Sequence, residues 1–266
     1  MPHQQDVRRD GDYTIRAVER VCDILDLLQE AREGISLKDA ATATGLPKSS
    51  VFRYLVSLEG RRYIEQDLHT GTYRLGSAFM PVQARQIDLL VERAHPQLEW
   101  VRDEVGETAA LAMLDSDEII YLDVVESESD LRLAPAAGGR AALHATASGK
   151  MIAAQLDDDR VREALTATGM QARTDRTIST IESFLEELRE VRAHGYAVDD
   201  GESTVQGRCV AVAVPDTHLP AAMVICAPAS RLPLDAVKDL SAILLEAARE
   251  VVSGSTHGAG HHHRSH

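Results

Sequence analysis

The chain has 266 residues, 44% of them hydrophobic and 26% charged, and a formal net charge of −14. These proportions exclude wholesale disorder, a collagen-like fibre and a disulfide scaffold, and the length suits two domains of ordinary size. The longest apolar stretch, 220–228, falls far short of the roughly 18 to 20 residues that cross a bilayer, and MPHQQDVRRDGD carries no apolar signal core, so a cytoplasmic protein without membrane contact is expected.

Residues 1–12 read as a disordered tail. Residues 15–30 then set Ile15, Val18, Val21 or Cys22, Leu25 and Leu28 at three- and four-residue steps, an amphipathic helix with Thr14 as its N-cap. Ser36 caps a short second helix in which Leu37, Ala40 and Ala41 share a face, and Gly45 stops it. Pro47 opens a third helix, with Val51, Leu55 and Leu58 as its inward stripe and Gly60 as its end. Residues 62–65 and 71–75 flank the turn-rich DLHTG as a small β-hairpin. Three helices, a tight turn between the second and third, and a hairpin make a winged helix-turn-helix over 13–76.

A linking helix is expected over 77–94, able to pair with a copy of itself, with Pro96 opening another helix that runs to about Val105. TAALAML, EIIYLDVV and DLRLAP are strand candidates ahead of the Gly138–Gly139 turn. Helices are expected over 145–156, 157–168 and 177–194, and a strand around 196–198. Strands over 209–214 and 221–227 precede a last helix over 234–252. The order gives a second, α+β domain over 95–252, an antiparallel sheet flanked by helices. The tail 253–266, with its histidines, reads as a disordered end or an affinity remnant.

Charge is unevenly divided. Residues 1–75 hold 11 Lys/Arg against 12 Asp/Glu, a net of −1, which leaves 17 against 30, or −13, for the rest. Inside the first part, Lys48, Arg53, Arg61, Arg62 and Arg74 outweigh Glu59, Glu65 and Asp67, so one basic face survives in an acidic protein. On the third helix Ser49, Ser50, Arg53 and Ser57 lie across from the apolar stripe. Such a face is either plainly solvated or a DNA contact. In the second reading Ser49, Ser50 and Arg53 approach phosphates or base edges from the major groove, Lys48 stands at the entrance, and Arg61, Arg62, His69 and Arg74 neutralise flanking phosphates.

RAVERVCDILDLL (16–28), GLPKSSVFRYLVSLEGRRYIE (45–65), TYRLG (72–76), LHATASGK (143–150), TISTIESFLEELREVRAHGYAVDDGE (177–202) and GRCVAVAV (207–214) together resemble the IclR (isocitrate lyase regulator) family of transcriptional regulators. The resemblance spans nearly the whole chain. It implies a winged helix-turn-helix, a linker helix and a C-terminal GAF-like effector domain. It also implies a regulator whose binding to a double-stranded, palindromic DNA operator is modulated by a small molecule. Homodimers, and tetramers by further pairing, belong to the same expectation; no cofactor does.

Carried over residue by residue, the effector site comprises Ala147, Ser148, Asp199, Cys209, Val224 and Cys226. Ala147 and Ser148 stand where the family usually writes a glycine-rich turn, and Val224 and Cys226 where two polar residues often line the last strand. A less polar pocket, suited to an aromatic or longer-chain acid, is the expectation. Other readings stay open. Cys209 and Cys226 also suit a strand core, Asp199 and Asp200 suit a turn, and His144 suits a structural role. Cys22, Cys209 and Cys226 contain no CxxC, which fits a reducing compartment and no zinc site. A ligand-sensing protein-interaction module that does not bind DNA, and a cysteine-dependent enzyme using Cys209 and His144, are the rivals from other classes.

Overall fold

The computed structural model describes residues 15–31, 34–217 and 220–253. The expected tails and the expected cap Thr14 lie outside these residues. The chain divides into two compact units, 1–87 and 88–266.

The first unit is built from α1 (Arg16–Glu30), α2 (Leu37–Thr44), α3 (Lys48–Glu59) and a hairpin of β1 (Ile64–Gln66) and β2 (Tyr73–Leu75). Ser36 caps α2, its hydroxyl accepting from the Asp39 N–H, and Gly45 ends it in the left-handed conformation at φ 66°. Only Gly45, Leu46 and Pro47 separate α2 from α3, the spacing of a helix-turn-helix. Ile24, Leu28, Ala40, Val51, Leu55, Leu58, Ile64 and Tyr73 close one apolar core, and Ile35 adds a β-bridge to Tyr73. The hairpin starts two residues later than its sequence suggests, because Arg62 takes a left-handed φ of 61° and belongs to the turn after α3.

Next come a 3-10 turn, Ser77–Phe79, and α4 (Met80–Val105). Two helices separated at Pro96 were expected; one is found, with Pro96 inside it. Proline removes one helical hydrogen bond there. The helix holds because Leu90, Ala94, Leu98 and Val101, at four- and three-residue steps, all pack into one core.

The second unit centres on a six-stranded antiparallel sheet in the order β5-β4-β3-β8-β7-β6. Its strands are β3 (Thr108–Asp115), β4 (Glu118–Val125), β5 (Arg140–Ala141), β6 (Ala197–Asp200), β7 (Gly207–Ala213) and β8 (Ala221–Pro228). One face carries α4 beyond Leu90 and α8 (Val237–Ser253). The other carries α5 (Ala147–Ala153), α6 (Asp158–Thr168) and α7 (Ile181–His194). This is the α+β architecture read from the sequence.

Three boundaries differ. DLRLAP forms no strand: Leu131 is 71% exposed, and the outer edge of β4 is taken instead by β5, with Ile119 opposite Ala141. α7 starts at Ile181 behind the cap Thr180, since Thr177 is held in the preceding loop, donating to the Glu202 carbonyl and accepting from Arg173 N–H and Thr174 N–H. The last helix begins with a 3-10 turn, Leu234–Ala236.

Candidate nucleic-acid interface and ligand pocket

In the first unit Val51, Leu55 and Leu58 turn α3 inward, so Lys48, Ser49, Phe52, Arg53 and Val56 stand in solvent. Ser50 is half-buried, and the Ser57 hydroxyl is bonded back to the Arg53 carbonyl at 2.7 Å. Arg61, Arg62, His69 and Arg74 are exposed on the turn and the wing. The wing tip is preformed: Asp67 Oδ1 accepts from the His69 N–H (2.8 Å) and the Thr70 N–H (3.0 Å), bonds that pull its carboxyl below the usual range. None of Lys48, Arg53, Arg61, Arg62 and Arg74 makes an ion pair among the described residues. The second unit is mixed: Arg93, Arg173, Arg189 and Arg249 make no ion pair among the described residues, but most of its arginines do. Arg140, Arg160, Arg176, Arg192, Arg208 and Arg231 each meet a carboxylate within it. Unpaired cations on a preformed wing and an exposed helix are what phosphate binding needs.

In the second unit the six residues singled out from the sequence lie on one side of the sheet. Asp199 pairs in register with Cys209, Cys209 with Cys226, and Cys226 with Thr108, a row across four strands. One step along, Ala197, Ala211, Val224 and Ala110 form a second row. Small side chains let a helix lie close, and α5 is buried along its whole length against this face. Gly149 is required there: a Cβ would press into the Leu143 carbonyl, with the Leu143 Cα at 2.6 Å and the Ala142 oxygen at 2.8 Å. Thr146 caps α5, its hydroxyl accepting from the Gly149 N–H at 3.0 Å.

The polar groups on this side differ in their commitments. Asp199, 1% exposed, accepts from the Glu202 N–H (2.7 Å), the Ser203 N–H (3.2 Å) and the Ser203 hydroxyl, so its carboxylate holds the turn after β6 even though Asp199 itself is a strand residue. Burial pushes its pKa up against those donors. Ser148, also 1% exposed, has a hydroxyl whose one interacting polar group among the described residues is the Tyr121 phenol, outside ideal hydrogen-bond geometry. Burial raises the pKa of Tyr121 on β4, Cys226, Cys209 and Asp199 add to the rise, and the Ser148 hydroxyl opposes it. The Cys209 thiol is likewise pushed up, first by its bond with Cys226 and then by burial, which leaves it a poor nucleophile. His144 bonds the Gln171 carbonyl at 3.1 Å, and burial lowers its pKa. No group of three or more His, Cys, Asp or Glu residues able to hold a metal occurs among the described residues.

Two residues escaped the sequence reading. Lys150, 1% exposed, donates to Glu187 (2.9 Å), the Val198 carbonyl (2.9 Å) and Glu202, tying α5 to α7 and to the end of β6. Its place in a run of small residues was the available signal. Tyr121, the one aromatic in EIIYLDVV, was the other.

Two family models match the chain. "Bacterial transcriptional regulator IclR C-terminal" covers 83–253, and "IclR helix-turn-helix domain" covers 17–68. The chain belongs to the IclR family. It is a DNA-binding transcriptional regulator with a C-terminal effector domain. Among IclR-family relatives, the transcriptional repressor IclR of Escherichia coli is 31% identical over 246 residues, covering 89% of each chain. The regulator BhcR of Paracoccus denitrificans is 33% identical over 249 residues, covering 90% of this chain and 87% of its own. The crystal structure of IclR from Thermotoga maritima shares 25% identity and a TM-score of 0.59, covering 91% of this chain and 99% of that one. An IclR homologue from Microbacterium hydrocarbonoxydans, crystallised with 4-hydroxybenzoate, has the same fold at 23% identity and a TM-score of 0.57, covering 89% of this chain and 98% of that one. No helix among the described residues is long and apolar enough to cross a membrane.

Proposed function

We propose that two copies of this cytoplasmic regulator bind a palindromic operator. α3 of each copy lies in the major groove, and the wing, with Arg61, Arg62, His69 and Arg74, lies along the flanking phosphates. One such domain contacts few bases, so useful specificity calls for two half-sites and a two-fold pair. The observation that carries this reading is the set of exposed cations that make no ion pair among the described residues, Lys48, Arg53, Arg61, Arg62 and Arg74, gathered on one helix, its following turn and the wing.

The effector is an organic acid with an aromatic or longer apolar body, bound beside Ala147, Ser148, Asp199, Cys209, Val224 and Cys226. Support comes from the buried Ser148 hydroxyl beside the Tyr121 phenol, from the apolar Val224 and Cys226 side chains, and from the 4-hydroxybenzoate held by a relative of the same fold. An acid that binds two dimer arrangements with different affinity shifts operator affinity by that difference, typically about 1–3 kcal/mol. α4, which begins in the first unit and ends in the second, is the element that links the two sites along the chain.

Selection of bound duplexes from a random pool at two salt concentrations tests the first part. A two-fold symmetric site whose affinity falls steeply with salt is expected. No enriched sequence at either salt would overturn it in favour of a protein-interaction module. For the second part, aromatic acids are expected to raise the melting temperature; a rise with glyoxylate or pyruvate alone would overturn the pocket assignment.

A further inference from the structure

The exposed stripe of α3 is only half polar. Ser49, Phe52, Arg53 and Val56 follow one another at steps of three, one and three residues and stand on one side of the helix, away from Val51, Leu55 and Leu58. Phe52 is 49% exposed and Val56 47%, although both are apolar and sit in a unit whose core is already closed by nine buried residues of other positions. Water is a poor environment for them.

We infer that Phe52 and Val56 read DNA sequence, by packing against the C5-methyl groups of thymines next to the base contacted by Arg53. This rests on the proposed placement of α3 in the major groove. The thymine methyl is the one apolar group that any base presents there, and Phe is among the side chains that meet it. Continuity with the cationic face selects this occupant over a protein. Phe52 lies beside Arg53, and Lys48 opens the same helix, neither with an ion pair among the described residues. Glu59, the acid on this helix, shares this side but stands three residues beyond Val56 at the C-terminal end; Phe52 is the nearer of the two apolar residues to the N-terminal part that meets base edges in a recognition helix, and Val56 lies one turn further along the groove.

The test uses the operator selected with the full-length protein. Each thymine is replaced singly by deoxyuridine, which removes only the methyl, and affinity is measured for the wild type and for Phe52→Ala, Val56→Ala and Phe52→Leu. At one or more thymines the wild type should lose about fourfold in affinity, the value of one buried methyl-sized group. Phe52→Ala or Val56→Ala should bind the thymine and uracil operators equally, with Phe52→Leu retaining part of the discrimination. An operator without a methyl-dependent position, or uracil effects identical in wild type and variants, overturns the inference and leaves the DNA-binding reading intact. Loss of self-association in the alanine variants, with uracil discrimination preserved, overturns it in favour of an interface between copies. Failure of the wild type to enrich any sequence overturns both readings.

Discussion

Lys150 and Glu202 form an ion pair inside the second unit, their side chains 2% and 10% exposed, with Glu187 and the Val198 carbonyl completing the ammonium's three acceptors. A buried pair of this kind is worth little net until one partner is removed, when the other is left charged in a poor solvent. Lys150→Met is therefore expected to lower the unfolding free energy by about 3–5 kcal/mol. Adding Glu202→Gln to it should recover part of the loss, because the stranded carboxylate disappears. Urea denaturation of the two variants checks this, and equal stability of the single and double variants would contradict the pairing.

His144 should make stability depend on pH. Burial lowers its pKa from 6.5, so the folded protein resists a proton that the unfolded chain accepts. The contribution is fully present above 6.5 and is lost as pH falls below it toward the depressed folded value. Asp199 and Glu202, whose pKa values burial raises, work in the opposite direction, so the difference between proteins is the informative quantity. The stability of His144→Gln should decline less between pH 7 and 5 than that of the wild type. Parallel profiles would show that the ring is protonated in the fold.

Substitution of Ser148 should separate folding from the proposed ligand response. Its buried hydroxyl interacts only with the Tyr121 phenol among the described residues, so Ser148→Ala is expected to change stability by no more than about 1 kcal/mol, while weakening the response to the proposed effector acid tenfold or more. Thermal melts with and without ligand read both effects. A loss of more than about 2 kcal/mol in the ligand-free protein would mean that the hydroxyl has a structural bond after all.

The cations of α3 should differ in kind. Lys48→Ala is expected to weaken binding to all sequences alike and to reduce the slope of log affinity against log salt by about one per contact. Arg53→Ala should cost about 1–3 kcal/mol and relax preference at one base position. Competition binding against single-base operator variants distinguishes the two; identical profiles would place both residues on phosphate.

Local order was largely legible in the sequence because it is encoded locally. Ser36, Gly45 and Gly60 mark the ends of α2 and α3, and the near-continuous apolar runs within 207–213 and 221–228 mark β7 and β8. Pro96 misled because a proline's local preference was overruled by the apolar stripe running through it. DLRLAP misled because a strand exists only where a neighbour offers an edge, and β5 had taken it. The candidate effector residues were named through family resemblance, and their commitments were legible only in part. Asp199 is engaged by Glu202 and Ser203, three and four residues on, as its turn reading suggests, whereas the surroundings of Ser148 are set by Tyr121, which the fold brings in from another element. Lys150 was invisible for the same reason: its partners lie 37, 48 and 52 residues away.

The division of arginines into paired and unpaired sets bears on how such a protein behaves among millions of wrong sites. Every phosphate contact made without regard to sequence strengthens the background against which an operator must compete. The excess of carboxylates beyond residue 75, a net of −13, works against such indiscriminate contacts, so a modest number of base contacts should be enough to single out the address of this protein.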